Sequence, residues 1–215
     1  MKTLFLLLVL AGAVTYTYSL PFVTNKYINA AREQIIDISK ILSKGDRPTL
    51  PVLATLQSTL KSIQKTSTAW QRGMYTLDST LIKFTELQPL NLSVDSLQSL
   101  FREIAITFEF TFCDYFHDQA KESFMKKIFL FSTSVSCECT LKMCGEYLEA
   151  LYSSQRHYGK GLDIVVVDTF HKTDLKDRYK IEFIPTLIVL DENNNELQRF
   201  VRDERIGEKL NHVLE

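Results

Sequence analysis

The sequence predicts a segment of helices followed by a smaller α/β domain, and three observations support this fold class. Apolar residues recur at steps of three and four from residue 28 to about residue 115, which is the periodicity of amphipathic helices. After Met125 the pattern changes to short apolar runs that alternate with helical stretches. Seven glycines and five prolines are too few to favour a turn-rich all-β fold.

The first residues have the pattern of a signal peptide. Lys2 precedes an apolar run from Leu4 to Val14, and no further charge occurs before Lys26. We expect a signal peptide over about residues 1–20, which predicts an extracytoplasmic protein, either periplasmic or secreted. An uncleaved N-terminal membrane anchor is the alternative, although the run is shorter than the roughly 20 residues that a spanning helix needs.

Composition narrows the classes of function. Lysine plus arginine number 25 and aspartate plus glutamate 26, so the net charge of −1 supplies no field that would attract nucleic acid or an anionic membrane. Four cysteines are too few for a disulfide scaffold in an exported chain of this length. Because Cys137, Cys139 and Cys144 lie within eight residues, they indicate a functional site rather than scattered core positions.

Residues 21–124 are predicted to form a bundle of three long helices. The first ends at the polar stretch 44–48, the second follows a three-four alternation over 49–84, and the third covers 93–115. Residues 104–112 also alternate in the manner of a strand, which leaves that interpretation open. Short connections join neighbouring helices, so an intramolecular bundle is favoured over an oligomeric coiled coil.

Residues 125–215 are predicted to form a second domain, with the boundary between Phe124 and Ile128. Buried strands and helices alternate along it, and a hairpin and a closing helix follow. The predicted elements are a strand at Ile128–Phe131, a helix at Thr140–Gln155, a strand at Leu162–Val167, a short helix at Asp174–Tyr179, strands at Thr186–Leu190 and Glu196–Val201, and a helix at Arg205–Leu214. This order predicts a mixed sheet with helices on both faces.

The first strand of this domain is followed directly by Cys137 and Cys139. A helix start offers free backbone donors and a favourable dipole, which lower a cysteine pKa, so Cys137 is predicted to be the reactive thiol. A disulfide between Cys137 and Cys139 would be strained and easily reduced, which suits exchange chemistry. Cys144 shares an apolar face with Leu148 and Leu151 and is predicted to be a core thiol.

Cys113 and the histidines show no spacing that assigns them to a site. Cys113 is interpreted as a core residue, with a disulfide to the second domain as the alternative. Cys137 and Cys139 together with His171 or Cys144 would offer ligands to copper(I) or zinc, which keeps a metal site open. The remaining histidines are predicted to lie at the surface: His117, His157 and His212.

The order of elements, the thiols after the first strand and Ile184-Pro185-Thr186 before the third strand together resemble the thioredoxin superfamily over about residues 126–215. The most specific match is the stretch 183–187 followed by an Asp-Asn turn. The resemblance implies that the bond before Pro185 is cis, that Pro185 faces the reactive cysteine, and that Ile184, Pro185 and Thr186 shape a substrate groove.

The resemblance implies thiol–disulfide exchange with protein thiols or disulfides, in which Cys137 attacks and Cys139 resolves the mixed disulfide. No cofactor is expected. The family motif has two residues between its cysteines, whereas one residue separates them here and Thr140 occupies the second cysteine's position. A non-catalytic thioredoxin-fold binding or scaffold protein, whose helical segment engages a protein partner, and a copper- or zinc-binding protein are the alternatives.

The signal-peptide interpretation predicts a mature protein that begins between about Val14 and Pro21, because the small residues at 11–13 and at Ser19 suit cleavage. N-terminal sequencing of exported protein measures this start. Membrane-bound protein that retains Met1 would establish the anchor instead.

Overall fold

The computed structural model describes residues 26–66, 70–88, 92–158 and 161–214. The segment predicted to be a signal peptide or an anchor lies outside these ranges. Within them, no helix combines the length and the apolar character needed to cross a membrane. The chain divides between Asp95 and Ser96 into two compact units.

The first unit consists of helices. Helix α1 covers residues 26–43, α2 covers Leu50–Thr66 and α3 covers Gln71–Leu87. The prediction of one helix over 49–84 is wrong, because Trp70 lies in a turn and α3 packs against α2. A three-four spacing marks one face of each helix and continues across the turn, so the periodicity does not reveal where the chain reverses.

Helix α1 ends at the polar stretch 44–48, as the sequence predicts. Gly45 has a φ of +82°, a left-handed conformation in which a side chain would be strained. Its N–H donates to the carbonyl of Leu42 at 3.0 Å, and the N–H of Asp46 donates to that of Ile41 at 3.1 Å. These two bonds form a Schellman motif, which satisfies the last carbonyls of the helix.

The core of this unit is the apolar face that the periodicity predicts. Its members come from all three helices and are almost fully buried: Ile28, Ala31, Ile35, Ile38, Leu42, Leu53, Leu56, Leu60, Ile63, Met74, Leu77, Leu81 and Phe84. The connection after α1 is held by Arg47, whose Nη1 donates to the carbonyl of Gln88 at 2.7 Å. The helical character predicted for this segment is therefore confirmed.

Helix α4, Val94–Thr111, lies almost wholly in the second unit, and α5, Cys113–Glu122, follows it. The predicted third helix is interrupted at Phe112, whose φ of −106° and ψ of 17° depart from helical values. A strand over 104–112 is excluded. Alternate residues there are apolar, but the buried ones follow helical steps, whereas Ile106 and Phe110 are only half-buried.

The mixed sheet follows, together with three further helices. The elements are β1 Lys126–Ser132, α6 Glu138–Tyr158, β2 Leu162–Asp168, α7 Thr173–Arg178, β3 Thr186–Leu190, β4 Glu196–Val201 and α8 Ile206–Leu214. The strand order is β2-β1-β3-β4, with β1 parallel to β2 and antiparallel to β3. Because all of β3 and all of β1 after Lys126 are buried, both faces of the sheet are covered, which confirms the predicted architecture.

Helix α4 is attached to α6 by polar groups. Arg102 donates to both carboxylate oxygens of Glu149, at 2.7 and 2.8 Å, and Tyr152 donates its hydroxyl to the buried carboxylate of Glu109 at 2.9 Å. A Cβ at Gly145 would lie 3.0 Å from Cδ of Arg102, so the helices approach closely. The compact unit therefore includes helices that precede the change of pattern near residue 125.

These contacts predict how fragments behave. A fragment of residues 94–215 should unfold in one sharp transition, because it keeps α4 and α5 with their buried partners. A fragment of residues 123–215 should unfold broadly, because removal of α5 exposes the surface of β2 against which α5 packs. Urea titration followed by circular dichroism compares the two fragments. Equally sharp transitions would place the boundary between Phe124 and Ile128, where the sequence pattern changes.

Candidate dithiol site

Three loops converge at one edge of the sheet. The carboxyl ends of β1 and β2 are neighbours, since Ser132 lies opposite Asp168. Strand β3 runs the other way and begins at the same edge, where Thr186 lies opposite Phe131. The loops 133–137, 169–172 and 181–185 therefore meet here, and the sheet places the predicted thiols and the predicted proline segment at one edge.

Asp168 organises the loop that carries the thiols, a role that the sequence analysis missed. Its carboxylate is buried, and Oδ1 accepts hydrogen bonds from the N–H of Ser134 at 3.0 Å and of Phe170 at 3.1 Å. The N–H of Thr169 donates to the carbonyl of Ser132 at 2.9 Å. The only signal in the sequence is an acidic residue directly after the apolar run of β2, which is not specific by itself.

Cys137 is the N-cap residue of α6. Its carbonyl accepts hydrogen bonds from the N–H of Thr140 at 3.0 Å and of Leu141 at 3.1 Å. Helix α6 begins at Glu138, two residues earlier than predicted, so Cys139 lies inside the first turn. The first backbone N–H groups of a helix have no partner within the helix, and the N–H of Thr140 also donates to the Cys137 sulfur.

The two exposed thiols contact each other. The Sγ atoms of Cys137 and Cys139 are 2.7 Å apart, and Sγ of Cys137 is 3.2 Å from Oγ1 of Thr140. Both cysteines are free, so the pair is in its dithiol form. Hydrogen bonds from the Cys139 thiol, from the Thr140 hydroxyl and from the Thr140 backbone lower the pKa of Cys137 to about 6. Near neutral pH the thiolate of Cys137 is therefore the major form.

The two remaining thiols are buried, and their pKa values are raised rather than lowered. Cys144 is fully buried, which confirms its predicted place in the core, and burial raises its pKa. Burial, assisted by the negative charge of Asp114, raises the pKa of Cys113 to about 12. Cys113 is also free, so the structure contains no disulfide from it to the second domain.

His117 is buried, so the prediction that it lies at the surface is wrong. Its ring is buried and packs edge-on against Phe129, with centroids 5.8 Å apart. Burial lowers its pKa, which favours the neutral imidazole. Its place on the buried face of α5 explains the difference, since a lone histidine carries no sequence signal of what packs over it. His212 is exposed as predicted.

Within the described ranges, no three histidine, cysteine, aspartate or glutamate residues gather as metal ligands. His171 contacts the ring of Phe170, with centroids 4.9 Å apart, and its Nε2 lies 3.9 Å from Oδ2 of Asp168. Cys137 and Cys139 therefore have no third protein ligand among these residues.

Exposed apolar side chains surround the thiol edge of the sheet. Val135, Phe170 and Phe183 belong to the three converging loops and are 61%, 56% and 55% exposed. Their clustering on loops at one edge is typical of a surface that binds another molecule.

The Ile184–Pro185 peptide bond is cis, as the resemblance implies. Together with the strand order and the thiols at the start of α6, it identifies the architecture. The C-terminal part of the chain has a thioredoxin-like fold. Whether Pro185 faces Cys137 stays a prediction.

Comparisons with known proteins find solved structures that are similar to part of this chain. The germline thioredoxin Deadhead of Drosophila melanogaster is 22% identical, covers 47% of this chain and 89% of its own, and has a TM-score of 0.38. A poplar thioredoxin h is 17% identical, with 47% and 87% covered and a TM-score of 0.38. DsbH oxidoreductase is 20% identical, with 45% and 77% covered and a TM-score of 0.36. No family model and no curated protein matches the chain.

The geometry predicts the order in which the thiols react. Brief alkylation with iodoacetamide should label Cys137 first, Cys139 less and Cys144 last, and mass spectrometry measures each. Below its pKa Cys137 is protonated and unreactive, so its labelling rate should rise through about pH 6 and then level off. Thr140→Val removes one donor to the sulfur and should move this rise to higher pH. A rise of Cys137 labelling only above about pH 8 would contradict the assignment.

Proposed function

We propose that this protein carries out thiol–disulfide exchange on protein substrates through Cys137 and Cys139. The observation that carries the proposal is the pair of exposed sulfurs 2.7 Å apart, one of them with its pKa lowered to about 6. A thiolate is the species that attacks a disulfide, and a second thiol within reach can release the intermediate. This chemistry requires no cofactor.

The steps balance within the dithiol and its substrate. The Cys137 thiolate attacks one sulfur of a substrate disulfide, a new S–S bond forms, and the other substrate sulfur leaves as a thiolate that takes a proton from water. Cys139 then gives up its proton and attacks Sγ of Cys137, which releases the first substrate sulfur. The substrate gains two electrons, and the protein pair becomes a disulfide. The reverse sequence passes that disulfide to a substrate dithiol.

The spacing of the two cysteines favours transfer of the protein's disulfide to a substrate dithiol, or rearrangement of the disulfides within a substrate. One residue separates the cysteines, and a disulfide that spans a single residue is strained. A strained disulfide is readily reduced, so the oxidised pair should pass its bond on rather than keep it.

Protein substrates and an extracytoplasmic site of action are part of the proposal. Exposed Val135, Phe170 and Phe183 favour a polypeptide over a small polar disulfide as partner. Ile184, Pro185 and Thr186 would line the groove for that polypeptide. The apolar run at residues 4–14 favours export to a compartment in which disulfides persist.

A non-catalytic binding protein with the same fold is the second candidate. Thr140 at the position of the family's second cysteine favours it. The exposed apolar rim would then bind a partner without chemistry.

Exchange activity distinguishes the two candidates. Refolding of scrambled ribonuclease should be accelerated by the wild-type protein, and Cys137→Ser should abolish the effect. Cys139→Ser should accumulate mixed disulfides with the substrate, because the resolving thiol is missing. Cys144→Ala is the matched control and should retain activity, since its thiol is buried. The exchange proposal is wrong if the wild-type protein shows no exchange activity and its Cys137 reacts no faster than Cys144. The binding function is then the better candidate.

A further inference from the structure

A cleft between α4 and the start of α6 lies beside the dithiol. Its volume is about 610 Å³, within the range of ligand-binding pockets. We call it the α4–α6 cleft. Its lining includes three side chains from each helix: Glu103, Ile106 and Phe110 from α4, and Glu138, Leu141 and Lys142 from α6.

The lining of the cleft includes residues that adjoin the thiols in the chain. Glu138 stands between Cys137 and Cys139 in the chain and contributes to the lining. Thr133 and Ser134, in the loop that leads to Cys137, line the cleft as well. A chain whose sulfur is bonded to Cys137 would therefore have its neighbouring residues within reach of the cleft.

Part of the cleft lining is apolar and is not used by the core of the unit. Ile106 and Phe110 are four residues apart on one face of α4 and are only half-buried, whereas the core takes Ile104 and Phe108. Leu141 of α6 is 37% exposed. These side chains offer a place for one apolar side chain of a ligand.

The rim of the cleft carries unused charge. Glu103, Glu138 and Lys142 are exposed, and the structure gives their side chains no hydrogen bond or ion pair within the described ranges. The guanidinium of Arg102 is held by Glu149, which compensates its charge. Two carboxylates against one ammonium leave the rim net negative, so a cationic group on the ligand is favoured.

We infer that the α4–α6 cleft binds the segment of a substrate polypeptide that adjoins its reacting cysteine, and that it selects an apolar residue next to a basic one. The inference rests on the proposed function, because the cleft is useful only where a substrate sulfur meets Cys137. The apolar side chain contacts Ile106 and Phe110, and the basic residue lies against Glu103. An apolar pocket with a charged rim is a common form of peptide recognition.

Binding is measured on the whole chain without any sulfur chemistry. The probes are the fluorescein-labelled peptides Gly-Arg-Leu-Ser-Gly-Gly and Gly-Glu-Leu-Ser-Gly-Gly, in which serine replaces the cysteine. Fluorescence anisotropy should show the arginine peptide binding about threefold more tightly than the glutamate peptide, the size expected for exposed ion pairs. Glu103→Lys should reverse this preference. Phe110→Ala should weaken both peptides, and Glu146→Lys, an equal charge change at an exposed residue of α6 outside the lining, should alter neither.

Exchange is measured in parallel with the same peptides carrying cysteine in disulfide linkage to a small thiol, and with an aromatic disulfide reagent. Glu103→Lys should lower kcat/KM for the arginine peptide about threefold and leave the rate with the reagent unchanged. Equal binding of the two peptides, with no effect of Glu103→Lys, would overturn the cleft assignment while exchange with the reagent stands. If the wild-type protein reacts with no disulfide, the proposed function fails, and a charge preference in the anisotropy measurement still establishes the cleft as a peptide site.

Discussion

The capping of α6 by Cys137 is the interaction on which the arrangement of the dithiol site depends. The cysteine carbonyl accepts the first bonds of the helix, and its sulfur receives hydrogen bonds from the Cys139 thiol and from Thr140. A thiolate is stabilised wherever such donors converge, and the helix dipole acts in the same direction. The same residue thus starts the helix and carries the thiol whose pKa is lowered.

That helix start is positioned by the sheet. Strand β1 ends opposite the end of β2, and the buried carboxylate of Asp168 binds the N–H of Ser134 in the loop before Cys137. A loss of this carboxylate would leave the loop's backbone donors unsatisfied in a part-buried place. The remaining loops of the same edge add exposed apolar side chains, so one edge of the sheet carries both the dithiol and these side chains.

Helix α4 gives the thioredoxin-like part of the chain an additional surface. Arg102 and Glu149 hold it against α6, and Gly145 allows the close approach. Because α4 buries one apolar face and leaves Ile106 and Phe110 half-exposed, it forms a cleft beside the thiols. The compact unit that carries the dithiol therefore also contains α4 and α5.

The sequence by itself determined the strands and helices of the mixed sheet, the apolar faces of the helices and the position of Cys137 directly before a helix. Each of these depends on local spacing: periodicity places Leu56 and Leu60 on one face, and a thiol directly before a helix meets its free N–H groups. Tertiary structure alone decided the turn before α3, the break at Phe112 and the burial of His117, since local spacing does not show which surface packs against which. The approach of Cys139 to Cys137, the role of Asp168 and the cleft also depend on residues distant in the chain or on the exact start of α6, and they arise only when the chain is folded.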